Sequence, residues 1–248
     1  MREWICGTLI ACALISSSRA DCGAQSAATH PHLVELYTSE GCSSCPPADA
    51  WLRNLPSSAG VVALAFHVDY WDSLGWRDHF ADARYSDRQR QQARRDASAS
   101  VYTPQVVLDG RSWQGWFHGA GFPAAERSRI AIKISAVRAA SSLQLHLEST
   151  APKGVDVGAY RNFVALTEDG LSTEVRAGEN RGVTLHHDHV VRNIVGPLPA
   201  SGSDVRIDIP AETDASRSTL VAFTQDPRSG DVAQVLSLPL VQCRVDAD

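Results

Sequence analysis

The chain has 248 residues, a formal charge of −5, 44% hydrophobic residues and 21% charged ones. That composition is too apolar for a disordered chain and too evenly charged for a membrane protein. A pI near 6.0 leaves no electrostatic footprint for nucleic acid.

The N-terminus reads as a targeting segment. Arg2, the apolar run from Trp4 to Ile15 and the small-x-small Ser18-Arg19-Ala20 make residues 1–20 a secretory signal peptide, with cleavage expected after Ala20. The run is too short for a spanning helix, which needs about 20 residues, and no later stretch qualifies. The mature chain is expected in an exported, oxidising compartment, periplasmic or extracellular. There it keeps Cys22, Cys42, Cys45 and Cys243. Four cysteines allow three connectivities. The simplest pairs the neighbours Cys42 and Cys45 and leaves Cys22 with Cys243; the alternative is a free Cys22 in a disordered tail.

In chain order, residues 21–31 read as a flexible leader. Leu33 to Tyr37 is a short buried strand, Pro46 to Leu55 a helix opened by prolines, and Gly60 to His67 a second buried strand. Helical patterning from Trp76 to Ala99 carries an arginine-rich wet face. Thr103-Pro104 precedes a β-branched strand that ends in Asp109-Gly110, a hairpin signal, with Arg111 to Trp116 as its return. Ile130, Ile134 and Val137 are spaced for a helix over 123–140. Beyond Ala140 the texture changes to short alternating strands, at Leu143–Glu148, Tyr160–Thr167, Thr184–Ile194, Val205–Ile209, Leu220–Thr224 and Val232–Leu240. Turn residues between such strands argue a β-sandwich. The expected division is an α/β domain over 32–141 and an all-β domain over 142–248.

Cys42-Ser-Ser-Cys45 falls between a buried strand and the first turn of a helix. A thiolate placed there is stabilised by free backbone N–H groups and the helix dipole, so Cys42 is the expected nucleophile and Cys45 its resolving partner. Zinc would need a second ligand pair of similar spacing, which the chain lacks, so no metal ligands are assigned. Glu35 sits among apolar neighbours on the first strand, either buried or on an edge facing water. His67 and Asp69 close the second strand and are expected on the rim that carries Cys42. His186, His187 and His189 form a histidine-dense stretch that reads by default as a polar surface strand, the alternative being a metal site, in which strand alternation lets at most two of them act together. Neither a G-x-S-x-G elbow nor a phosphate loop is present.

LVELYTSEGCSSCPP resembles the strand, loop and helix that carry the redox cysteines of the thioredoxin superfamily. With FHVDYWDSLGW, YTPQVVLDG and GENRGVTLHHDHVVR, the wider pattern resembles the exported thioredoxin-like proteins grouped as domain of unknown function 1223. The resemblance implies a thioredoxin-like α/β fold followed by a sandwich-like all-β domain. It implies that Thr103-Pro104 is a cis-proline site lining the substrate edge. It also implies that Glu35 takes the place of the buried acid of thioredoxins, able to accept the proton of Cys45. The central Ser-Ser differs from the Gly-Pro of thioredoxin, so no redox potential carries over.

The functional expectation is an exported thiol–disulfide oxidoreductase, without a cofactor beyond its own disulfide. Its partners would be thiol- or disulfide-bearing clients and a recycling redox protein, with neither nucleic acid nor a membrane span involved. One rival is a copper-binding or copper-delivering module using Cys42, Cys45 and His67. The other is a non-catalytic interaction protein in which the Cys42–Cys45 pair is structural.

Overall fold

The computed structural model describes residues 22–56 and 60–243; the expected signal peptide lies outside them. Strands β1 (Cys22–Gln25) and β2 (His32–Thr38) lead to helix α1 (Pro46–Arg53), strand β3 (Val61–His67) and helix α2 (Ala83–Arg95). The hairpin of β4 (Gln105–Leu108) and β5 (Arg111–Ser112) follows. The rest is strand: β6 (Ala131–Ala139), β7 (Ser142–Thr150), β8 (Arg161–Glu168), β9 (Leu171–Glu174), β10 (Thr184–His187), β11 (Val190–Pro199), β12 (Ser203–Asp208), β13 (Ser218–Gln225) and β14 (Val232–Pro239). Among the described residues, no helix is long and apolar enough to cross a membrane.

The α/β thioredoxin-like domain followed by a sandwich-like all-β domain is not the architecture found. One mixed sheet of eight strands, in the order β14-β13-β8-β11-β3-β2-β4-β5, runs through both halves of the chain. The junction is β11 beside β3, where Val190 pairs in parallel with Ala65 and the Ala65 N–H donates to the His189 carbonyl at 2.8 Å. A second sheet, β1-β6-β7-β12, again draws strands from both halves. Its apolar face, including Ile134, Leu145 and Ile207, packs on Val164, Leu166, Leu220 and Leu238 of the large sheet.

Two local expectations also differ. The stretch expected as a helix over 123–140 contains β6, because Ile132, Ile134 and Ala136 alternate with more exposed residues and pair along β7. The apolar spacing there fits both periods, and the exposed edges of β1 and β7 decide between them. Residues 22–25 of the expected flexible leader form β1, in antiparallel register with β6. That strand starts at Cys22, which is bonded to Cys243 across 221 residues. In the chain-entropy model, so long a loop is worth about 5 kcal/mol, an upper figure.

The two faces of β2 set out the site. Val34 and Leu36 pack under Ala48 and Leu52 of α1, whereas Leu33 and Tyr37 pack with Tyr85 of α2. Helices α1 and α2 therefore lie on opposite faces of the large sheet. Thr38 pairs with His67, and strand alternation puts both on the face that carries α1.

Candidate functional site

From the end of β2 the chain turns through Ser39-Glu40-Gly41 into Cys42, and α1 starts directly after Cys45. The turn closes on itself: Cys42 N–H donates to the Ser39 carbonyl at 3.1 Å, and Cys45 N–H to the Cys42 carbonyl at 3.2 Å. Pro46 and Pro47 occupy the first helical positions, where a missing N–H costs nothing. Cys42 and Cys45 are joined in a disulfide, and both are 0% exposed.

The other half of the chain contributes a cover to this turn. The segment between β9 and β10 lies over the Cys42–Cys45 turn. Asn180 Nδ2 donates to the carbonyls of Glu40 (2.8 Å) and Cys42 (3.0 Å). The exposed Glu179 carboxylate accepts from Ser43 N–H at 3.1 Å and from Ser43 Oγ at 2.7 Å. These bonds hold the Glu179 carboxyl below its usual range, the hydroxyl contributing most. The segment caps the disulfide.

Beneath the disulfide is a buried polar network. Asp78 accepts from His67 Nδ1 at 2.6 Å and from the Glu40 N–H at 2.9 Å. Glu40 accepts from Trp76 Nε1 at 2.8 Å and lies 3.3 Å from His187 Nε2. Burial pushes His67 down, but the charge and hydrogen bond of Asp78 outweigh it and the net shift is up. Asp49, in the first turn of α1, accepts from Thr38 Oγ1 at 3.1 Å. Burial pushes the Asp49 carboxyl up, against the opposing pull of His67 and His187. Asp49 N–H donates to the Cys45 carbonyl at 3.1 Å, so this acid stands one helical turn above Cys45. It is the residue that motif reading missed. The signal was available, since Cys45, Asp49 and Leu52 are spaced to share the inward face of α1.

Glu35 is elsewhere. It is 2% exposed but faces α2, where Arg88 grips it through Nε (2.6 Å) and Nη2 (3.0 Å) and Tyr37 donates to it at 3.1 Å. The Arg88 guanidinium lies over the rings of Phe163 and Phe223, each 5.1 Å away. The sheet separates this ion pair from α1 and its cysteines. Thr103 and Pro104, in contrast, belong to the site's surroundings. Their peptide bond is cis, and Pro104 directly precedes Gln105, which pairs with Tyr37 near the end of β2. Trp71 donates from Nε1 to Thr103 Oγ1 at 2.8 Å. The same Trp71 crowds Gly41, where an added Cβ would lie 3.1 Å from that of Trp71. Of the histidine-dense stretch, His187 is buried at the network and His186 is exposed. His189 lies in the turn before β11 with φ of 59°, 3.3 Å from Asp169.

Comparisons with known proteins bear on fold and family. The X-ray structure of an Agrobacterium tumefaciens protein is similar, with TM-score 0.59 and 24% identity over 88% of this chain and 98% of that one. HBP35 of Porphyromonas gingivalis is similar in fold, with TM-score 0.63 and 9% identity over 90% of this chain and 79% of that one. No curated protein matches the chain. The model of the family described as protein of unknown function (DUF1223) matches residues 33–225, and the chain belongs to that family.

Proposed function

We propose that the protein is an exported thiol–disulfide oxidoreductase working through Cys42 and Cys45. The observation that supports this reading most is the buried Cys42–Cys45 disulfide at the start of α1, with the acid Asp49 one turn above Cys45. Two disulfides in one chain suit an oxidising compartment.

In the reduced protein, the Cys42 thiolate attacks one sulfur of a client disulfide and displaces the other as a client thiolate. Cys45 then loses its proton to Asp49, and its thiolate attacks the Cys42 sulfur. The Cys42–Cys45 disulfide forms, and the second client sulfur leaves to be protonated. Run in reverse, the oxidised pair passes its disulfide to a client dithiol. Either direction requires the Glu179-Asn180 cap to lift. Asp49 replaces Glu35 as proton acceptor, since Glu35 is held by Arg88 on the far face of the sheet.

The experiment is to express Cys45→Ser and Cys42→Ser in the exported compartment, quench with acid, and compare mixed disulfides on non-reducing gels. Cys45→Ser should accumulate client adducts, because Cys42 attacks and nothing resolves it. Absence of adducts from both variants would remove the reading. Tight Cu(I) binding by the reduced protein, together with that absence, would put copper delivery in its place.

A further inference from the structure

We propose that His30, His32 and Asp109 form a binding site for one divalent transition-metal ion of the zinc class. One ligand atom from each of the three lies within 4.8 Å of those of the other two. The site is at the start of β2, whereas the cysteines follow its end. Seven residues of strand separate the two ends, about 20 Å at roughly 3.3 Å per residue. The proposal is therefore independent of the redox reading.

The ring of His32 carries the first argument. Its Nε2 lies 2.9 Å from the Pro123 carbonyl, which can only accept, so Nε2 holds a hydrogen. Nδ1 is then turned to Asp109 Oδ2, 2.5 Å away. A bare lone pair against a carboxylate at that distance is repulsive, so with no ion bound a proton sits between them; a metal ion, which needs about 2.0–2.2 Å to each ligand atom, replaces that proton only when the two side chains draw apart. A histidine whose other nitrogen donates to a backbone carbonyl is oriented as metal-ligating histidines are.

A proton on His32 would satisfy that pair but would leave His30 unexplained. His30 is 9% exposed, its Nε2 is buried without a hydrogen-bond partner, and that nitrogen is 4.0 Å from Asp109 Oδ1. Buried polar nitrogens are nearly always satisfied, and a shared ion would satisfy this one. The positions are fixed from outside the trio. His30 N–H donates to the Glu126 carbonyl at 2.8 Å and Val232 N–H to the Asp109 carbonyl at 3.2 Å. Leu33 N–H donates to Asp109 Oδ1 at 2.7 Å. Asp109 itself sits at φ of 48°, in the left-handed region that aspartate tolerates better than most residues.

Two imidazoles and one carboxylate suit zinc and its first-row neighbours. They leave coordination positions for water in the adjoining cleft of about 450 Å³, which Glu126 and Asp231 also line. The second trio of this kind, Glu40, Asp78 and His79, is less suited: His79 is exposed and Asp78 is already bonded to His67.

The test uses the full mature protein with both disulfides oxidised, so that thiols do not compete. Zn²⁺ is titrated by calorimetry and Co²⁺ by visible absorption, in the wild type, His30→Gln, Asp109→Asn and His79→Gln. One equivalent of each ion should bind the wild type and His79→Gln alike. Binding should weaken at least tenfold in His30→Gln and Asp109→Asn. If Asp109→Asn does not fold, His30→Gln decides alone, because its Nε2 makes no hydrogen bond that folding would miss. The proposal is overturned if neither ion binds the wild type, if His30→Gln binds as the wild type does, or if His79→Gln alone abolishes binding.

Discussion

Glu35 and Asp49 show how much turns on which way one side chain points. Glu35 faces α2, and both its oxygens are engaged by Arg88. Glu35→Gln leaves that guanidinium buried without its counter-charge, and losing one member of a buried pair costs about 3–5 kcal/mol. Urea denaturation should show that loss, while the rate of disulfide exchange by the folded fraction should stay at the wild-type value. A large fall in that rate would return Glu35 to the mechanism. Asp49 behaves in the opposite sense. Its carboxyl is pushed up by burial, so its contribution to stability is present at low pH and is lost as pH rises through the folded-state pKa. Asp49→Asn should therefore raise the melting temperature at neutral pH and flatten its fall with rising pH. Removing a proton acceptor costs about 100-fold or more, so the same variant should exchange disulfides that much more slowly. The sequence places Glu35 among apolar neighbours on a strand and leaves open whether it is buried or faces water. The face it uses is set by pairing with β3 and β4, which no local pattern encodes. Asp49 was legible in principle from its helical spacing to Cys45.

At the scale of elements, the site depends on a contact between distant segments. The cap between β9 and β10 rests on Gly178, at φ of 74°, where an added Cβ would lie 3.0 Å from that of Trp76. Asn180 supplies two hydrogen bonds to the backbone around Cys42. At about 1 kcal/mol net for each bond, Asn180→Ala should let the cap open tenfold or more often. Reduction of the Cys42–Cys45 disulfide by dithiothreitol should accelerate by about the same factor, followed by thiol alkylation and mass spectrometry. An unchanged rate would mean that the cap does not gate the pair. The strand, turn and helix that carry the cysteines were readable from LVELY, Cys-Ser-Ser-Cys and Pro-Pro, because each is a local signal. The cap was not. Strand β9 is only four residues long, and nothing in its composition says that the loop after it covers a turn 138 residues earlier.

At the scale of the molecule, the change from helix to strand comes well before Ala140, since the last α-helix ends at Arg95 and β4 to β14 follow with no α-helix between them. Composition cannot show where those strands pair. β11 joins β3 edge to edge, and β6 and β1 cross to the second sheet, so the halves share their sheets. The Cys22–Cys243 bond ties β1 to the turn after β14, while Cys42–Cys45 sits at a turn reached by lifting one loop. Under the proposed function, Cys22–Cys243 serves stability and Cys42–Cys45 serves exchange. The most direct measurement is the equilibrium of each disulfide with glutathione buffers in the purified mature protein, read by alkylation and peptide mapping. The Cys42–Cys45 pair should titrate with a midpoint between about −270 and −120 mV, while Cys22–Cys243 stays oxidised throughout. A Cys42–Cys45 pair that resists reduction below about −300 mV would make it a structural bond and contradict the account.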